Sequence, residues 1–281
     1  MSGNEVLNPG LRYKISANLG RCNDSNLFWH FVPNFGMNFG DWIGPYLFEK
    51  MTGQNPVLFR PKWATWGGSY YSTVGSILHL IQNRDTAIVW GSGAIRPDAR
   101  FPSPKEILAV RGPLSREVCV QQGYKCPKCF GDPAVLLPEY IDLSKIGKTR
   151  AIGIVPHYVD FEVASRILGK YQDVKVIDVK RSVEDVVTDI ASCELILSSS
   201  LHGLIVAHCF GVRAAWVQFS DRIIGGGFKF RDYYSSVEVG EIDPITISSE
   251  VTLTELINIA KSSPFPDIGR IALSVKESCP F

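Results

Sequence analysis

Short apolar, β-branched runs alternate along this chain with longer amphipathic ones. That is the pattern of βαβ units building parallel sheets. In the first half it predicts a strand over 27–32, a loop over 33–41, a helix over 42–51 and a short strand over 56–59. A buried strand over 86–90 then ends in Gly91-Ser92-Gly93, followed by another strand over 107–110 and a helix over 113–122. Pro113 suits a first helical turn, and Gly123 marks the stop. Gly131-Asp132-Pro133-Ala134 leads into the apolar run 135–138. The polar stretch 139–150 reads as a boundary, which gives an N-terminal domain of 1–145 and a C-terminal domain of 146–281.

The second half restarts the rhythm. Strands are predicted over 151–155, 174–179, 194–197 and 214–219, and helices over 161–169, 183–191, 251–261 and 268–276. Ser182 is placed to cap the helix over 183–191, with Glu184 and Asp185 at its positive end. Ser198-Ser199-Ser200 opens a further helix running to Phe210, where Gly211 stops it, and Gly225-Gly226-Gly227 forms a later loop. The last helix is expected to pack back on the N-terminal domain. The expected class is α/β, with two Rossmann-like domains. Facing halves of this kind hold ligands between them, at the carboxyl ends of the strands.

Composition adds exclusions. With 281 residues, 45% hydrophobic and 20% charged, the chain can bury a core without staples. A net charge of +1 offers no concentrated basic surface, so no nucleic-acid partner is expected. No apolar window is long enough to span a membrane, and the polar start does not read as a secretory signal. The seven cysteines are scattered, with Cys119, Cys193 and Cys209 in apolar runs, which fits a reducing cytoplasm. Cys126-Pro127-Lys128-Cys129 has no second ligand pair, so no metal is expected. No dinucleotide fingerprint, Walker lysine or nucleophile elbow is present.

Candidate chemistry concentrates where predicted strands end. At Ser200-Leu201-His202-Gly203 a buried strand turns straight into an apolar helix, leaving first-turn amides free for phosphate or carboxylate. His202 there can donate to an anion and pass a proton near neutral pH, or it can be a packing residue behind a Ser200 cap. Arg111 ends the strand over 107–110, where its planar fork suits an anion; the alternative is a structural pair with an acid such as Asp132. In the loop 34–41, glycines allow close backbone approach, and Asn38 and Asp41 could bind sugar hydroxyls, although Asp41 also reads as a plain helix cap. Gly91-Ser92-Gly93 is a weaker strand-end signal. His157, after Pro156, either faces the same cleft or lies at the surface. Five tryptophans, Trp29, Trp42, Trp63, Trp66 and Trp90, could stack on sugars or fill the core.

Taken in order, Asn38-Phe39-Gly40-Asp41 with Pro45, Gly91-Ser92-Gly93, Val110-Arg111-Gly112-Pro113-Leu114-Ser115, Gly131-Asp132-Pro133-Ala134, Pro156-His157, Leu201-His202-Gly203 and the segment 228–233 resemble the polysaccharide pyruvyltransferases. The likeness is greatest to members that decorate bacterial exopolysaccharides, and it spans roughly 34–236. It implies a GT-B-like fold with two Rossmann-like domains facing across a cleft. It also implies phosphoenolpyruvate as donor, and a saccharide or lipid-linked oligosaccharide as acceptor. The product is a pyruvate ketal, and no cofactor is needed. Carried over by motif, Arg111 holds the donor's charged groups and His202 is the donor-contacting acid. The implied setting is cytoplasmic, with peripheral association at the inner face of the membrane as an option. Ser200 stands where many relatives have a larger residue, often arginine or methionine; where that residue is an arginine, this chain has to recruit the charge elsewhere, and Lys229, Arg222 and Arg231 are the candidates. The stretch 60–71 is the expected seat of acceptor choice. Two rivals share the same architecture: a nucleotide-sugar glycosyltransferase and a non-catalytic glycan-binding protein.

Overall fold

The computed structural model describes residues 26–31, 37–59 and 69–281. The stretch 60–68, with Trp63, Trp66 and most of the expected acceptor segment, lies outside the described residues, as do Cys22 and the loop residues 32–36.

Two five-stranded parallel sheets form the frame. The first holds β1 (Asn26–Phe28), β2 (Val57–Leu58), β3 (Tyr70–Ser72), β4 (Ala87–Trp90) and β5 (Glu106–Ala109), in the order β2-β1-β3-β4-β5. The second holds β6 (Arg150–Val155), β7 (Val174–Val176), β8 (Cys193–Ser198), β9 (Arg213–Gln218) and β10 (Ile245–Thr246), in the order β10-β9-β8-β6-β7. Renumbered within its own half, each sheet reads 2-1-3-4-5. The chain winds to one edge, returns past its first strand and continues the other way. Such an order creates a switch point between the first and third strands, where a crevice opens at their carboxyl ends.

The helices are α1 (Phe39–Thr52), α2 (Pro113–Gln121), α3 (Phe161–Leu168), α4 (Val183–Ala191), α5 (Leu201–Cys209), α6 (Phe228–Ser236), α7 (Leu253–Ser262) and α8 (Gly269–Glu277). A 3-10 stretch covers Pro133–Glu139. Most expected elements are found within a residue or two. Helix α1 begins three residues before the expected 42: Asn38 is its cap, and Asp41 lies in its first turn. The Ser182 cap is present, its hydroxyl accepting from the Asp185 amide at 3.1 Å. Strands β3 and β10 and helix α6 had no counterpart in the expected elements. The two strands have only three and two residues, too few for alternation to register.

One buried cluster runs from Leu27, Ile43 and Phe48 of the first half to Val186, Ile190, Leu204 and Val206 of the second. The C-terminal segment joins the same core. The Trp90 indole donates to the Val275 carbonyl at 3.0 Å, and the Phe281 ring meets Phe48, Tyr71 and Trp90 edge-on. Among the described residues no helix is long and apolar enough to cross a membrane, and no cluster of His, Cys, Asp and Glu could hold a metal ion.

Candidate active site

The serine run ties the switch point of the second sheet together. Ser198 Oγ lies within hydrogen-bond reach of the carbonyls of Val155 (2.9 Å) and Ser200 (2.8 Å), with one proton to donate between them, while the Ser199 and Ser200 amides reach back to the Val155 carbonyl. Ser199 Oγ accepts from the His157 amide at 2.9 Å, which fixes the end of β6 against the end of β8. Helix α5 therefore starts at the carboxyl end of β8, next to the end of β6. Its cap, Ser200, makes no side-chain capping bond, and the first bond of the helix joins the Leu204 amide to the Ser200 carbonyl. The amides of Leu201, His202 and Gly203 thus precede the helical ladder and have no partner within it. Leu201 itself is buried in the core. Gly203 allows the helix to sit this low, since a Cβ there would lie 2.3 Å from Ser198 Oγ and 2.7 Å from Val155 Cγ1.

His202 is pinned from both sides by the other half of the chain. Its Nε2 lies 3.5 Å from Asp132 Oδ2, and its ring meets Phe39 edge-on at 6.4 Å. Gly40 is the surface under its other edge: a Cβ on Gly40 would stand 2.3 Å from Nδ1 and 2.9 Å from Cγ. Helix α1 reaches this place because the Phe39 amide donates to the Val179 carbonyl at 2.8 Å. Replacing Gly40 with alanine is therefore expected to displace the imidazole while leaving helix α1 intact, since alanine is the better helix former by about 1 kcal/mol. Unchanged helicity with turnover reduced at least tenfold is the expected outcome, because misplacement of a reacting group by about 1 Å can cost a hundredfold. Full activity in Gly40→Ala would mean that the imidazole does not act from this position.

His157, Lys229 and Asp41 lie within electrostatic reach of one another. Asp41 is held by the Asn38 amide group at 2.9 Å and lies 3.6 Å from His30 Nδ1, and its carboxylate raises the His30 pKa. Burial, reinforced by the charge of Lys229, pushes the His157 pKa down to about 4, so it is neutral at neutral pH. Lys229 opens helix α6 after the Gly225-Gly226-Gly227 loop. Burial, with Arg111 nearby, brings its pKa down to about 8, and Asp41 opposes the shift. Among the described residues its ammonium has no carboxylate or carbonyl acceptor, only the Phe230 ring at 5.4 Å. The two other cation candidates are engaged. Arg222 donates to Asp160 at 2.9 Å, and Arg231 donates to Asp243 at 2.5 Å and to the Gly226 carbonyl.

Arg111 is fully buried, and its partner is Asp232 of helix α6, not Asp132. Nε donates to Asp232 Oδ2 at 3.0 Å, Nη1 to Ser76 Oγ at 2.5 Å, and Nη2 to the Ala94 carbonyl at 2.8 Å. Asp232 also accepts from the Ser115 amide and hydroxyl. Gly93 and Gly112 make room for this pair. A Cβ on Gly93 would lie 2.3 Å from the guanidinium carbon, and one on Gly112 would lie 2.1 Å from the Asp232 carbonyl. Gly91, at φ 87°, packs on Pro133 in the same way, and buried Ser92 bonds Ser72 and the Thr73 carbonyl. The Gly91-Ser92-Gly93 turn thus serves the fit between backbone layers, with the Ser92 hydroxyl already used. Asp132 and Asp232 were not expected to be neighbours of His202 and Arg111. Both lie within the segments that resemble the family, and only the fold shows which basic residue each one meets.

The sequence pattern of the polysaccharide pyruvyl transferases matches residues 63–221, more than half of the chain. An uncharacterized protein of Acanthamoeba polyphaga mimivirus is 30% identical over 208 residues, which cover 71% of this chain and 70% of that protein. The succinoglycan biosynthesis protein ExoV of Rhizobium meliloti is 31% identical over 180 residues, covering 59% of this chain and about half (53%) of that protein's length. The matched span runs from the approach to β3 through Arg111, Asp132 and His202 to the end of β9, so it includes the pinned histidine and its carboxylate. On these grounds the chain belongs to the polysaccharide pyruvyl transferase family and is a transferase.

Proposed function

We propose that this protein moves the enolpyruvyl group of phosphoenolpyruvate onto a sugar of a polysaccharide or of its lipid-linked precursor, forming a pyruvate ketal and releasing phosphate. The observation that carries the reading is the pinned, nearly buried His202 at the uncapped start of helix α5; Lys229, whose ammonium has no carboxylate or carbonyl acceptor among the described residues, supplies a cation. The donor sits between the halves. Lys229 and the amides of Leu201, His202 and Gly203 take its phosphate and carboxylate. Arg111 stands behind Lys229 and adds positive potential. Neutral His157 and the Ser200 hydroxyl complete the wall, and Asn38 and Asp41 face the acceptor's hydroxyls.

The chemistry follows from the donor. His202 delivers a proton to the methylene carbon of phosphoenolpyruvate, and C2 becomes oxocarbenium-like. A sugar hydroxyl adds to C2 and gives up its proton to the imidazole that delivered one. A second hydroxyl of the same sugar then adds to C2 as the C2–O bond to phosphate breaks, and its proton leaves on the departing phosphate. The ketal closes, and inorganic phosphate departs with the bonding electron pair. Fixed positive groups stabilise the charge that gathers on phosphate as that bond opens. The test is incubation with phosphoenolpyruvate and a broad panel of glycans. Phosphate release matched by a mass gain on the glycan supports the reading. No turnover on any acceptor, with no binding of phosphoenolpyruvate, would sink it.

Lys229 makes the reading pH-dependent. Its pKa in the fold, about 8, lies below its ordinary value of 10.5. Above about pH 8 it therefore loses its charge in the folded protein while the unfolded chain keeps it. Donor affinity is expected to fall as pH rises through 8, by up to about tenfold per unit. The stability contribution of this group has the opposite sign. The folded state binds fewer protons between 8 and 10.5, so stability from this group rises across that window. Lys229→Met is expected to weaken donor binding below pH 8 and to flatten both trends. A donor KM that varies with pH in the variant as it does in the wild type would remove Lys229 from the donor site.

A further inference from the structure

We infer that Asp132 is a positioning residue that fixes the tautomer of His202, leaving Nδ1 as the nitrogen that meets the donor. The inference rests on the pyruvyl-transfer reading for its catalytic consequence. Its structural part stands independently.

Asp132 has no exposed surface, and its two oxygens have different neighbours. Oδ1 accepts from the Ala134 amide at 3.0 Å and caps the 3-10 stretch that begins at Pro133. Oδ2 is buried without a hydrogen-bond partner, and so is His202 Nε2. These two orphaned atoms face each other at 3.5 Å. A buried polar atom without a partner is costly and uncommon. A single proton on Nε2, shared toward Oδ2, satisfies both. A carboxylate can only accept, so the proton belongs on the imidazole. With Nε2–H turned to Asp132, the lone pair of the neutral ring is on Nδ1.

The surroundings agree with that choice. Nε2 is sealed from solvent, whereas the side chain as a whole keeps 11% of its surface exposed. Nδ1 lies against the Gly40 backbone at the start of helix α1, so close that a Cβ there would stand 2.3 Å away. The aspartate closes the approach to Nε2, so the exposed part of the side chain lies elsewhere on the ring. When Nδ1 takes up the proton it will deliver, Asp132 also balances the charge of the imidazolium. After delivery, the ring returns to the Nε2–H form with no rotation.

Asp132→Asn tests this without removing the Oδ1 cap. The asparagine amide can donate to Nε2, which favours the opposite tautomer, with its proton on Nδ1. Nitrogen-15 spectra of histidine-labelled protein, recorded without donor, read the tautomer directly, and His202→Gln identifies the signal. The wild type is expected to show a protonated-type Nε2 and an unprotonated-type Nδ1 in its neutral ring, and Asp132→Asn is expected to reverse or mix them. Turnover in Asp132→Asn is expected to fall about a hundredfold or more, mainly in kcat, with the donor KM within a fewfold of wild type. Asp132→Glu, which keeps a carboxylate at a different reach, should recover part of kcat and part of the wild-type tautomer signature. A wild-type ring carrying its proton on Nδ1, or an Asp132→Asn protein with an unaltered tautomer, would overturn the inference. If the tautomer reverses but neither protein turns over phosphoenolpyruvate, the pyruvyl-transfer reading fails and the positioning geometry stands.

Discussion

Asp232→Ala is expected to cost the fold about 3–5 kcal/mol, because it leaves the fully buried Arg111 charged and unpaired. Total stabilities of about 5–15 kcal/mol make this a large fraction. The melting temperature should drop by roughly 10 °C. The loss exceeds that of an ordinary ion pair for two reasons. Neither side chain has any exposed surface, so water cannot take over the guanidinium. Asp232 also holds the amide and hydroxyl of Ser115, whose hydroxyl in turn accepts from the Ala94 amide. One carboxylate thus satisfies groups of both Arg111 and Ser115, and it belongs to helix α6 of the second half while its partners belong to the first. Asp243→Ala is the control. Asp243 pairs with Arg231 but is 81% exposed, and exposed pairs contribute little. Thermal unfolding that shifts equally in the two variants would show that the Arg111–Asp232 pair does not fasten the halves.

His202→Ala carries the largest expected effect on activity. Turnover should fall about 10²- to 10⁴-fold, the usual range for removal of a positioned acid or base. The fold should survive. His202 occupies the first turn of helix α5, where alanine is well tolerated, and the groups packed on its ring, Phe39, Gly40 and Asp132, are each held by bonds or packing of their own. His208, later in the same helix, provides the contrast. It is buried, bonds the Tyr233 hydroxyl at 2.8 Å and stacks on that ring, and burial drives its pKa down to about 4. His208→Ala should lower the melting temperature and leave donor binding near wild type. Wild-type rates in His202→Ala, measured by phosphate release with glycan mass gain, would remove His202 from the mechanism.

Much of the frame was legible because its causes are local. The strands over 86–90, 107–110 and 151–155 announce themselves by buried β-branched runs. The helix at Val183–Ala191 does so by its Ser182 cap and its apolar face. The strand-to-helix turn at Ser198–Gly203 follows from the same kind of signal. Helix α6 was missed because its apolar and polar residues barely separate around the axis. Buried Phe230, Asp232, Tyr233 and Tyr234 spread around it, since it packs on both halves. Helix α1 hid its start for a related reason: Phe39 and Gly40 read as loop, and their helical conformation is secured by the Val179 carbonyl, far along the chain.

By itself, the sequence determined two parallel α/β sheets, a turn that presents His202 at the end of β8, and a set of polar residues waiting at strand ends. Each depends on neighbours within a few positions, where period, caps and turn residues act. Only the tertiary structure decided which of these residues face one another. It set Asp132 against His202 and Asp232 against Arg111, engaged Arg222 and Arg231 with carboxylates, and left Lys229 without one among the described residues. The Asp132–His202 and Asp232–Arg111 pairings join residues 70 and 121 positions apart. They are settled by how two layers pack, a balance of burial and charge satisfaction that no local pattern encodes.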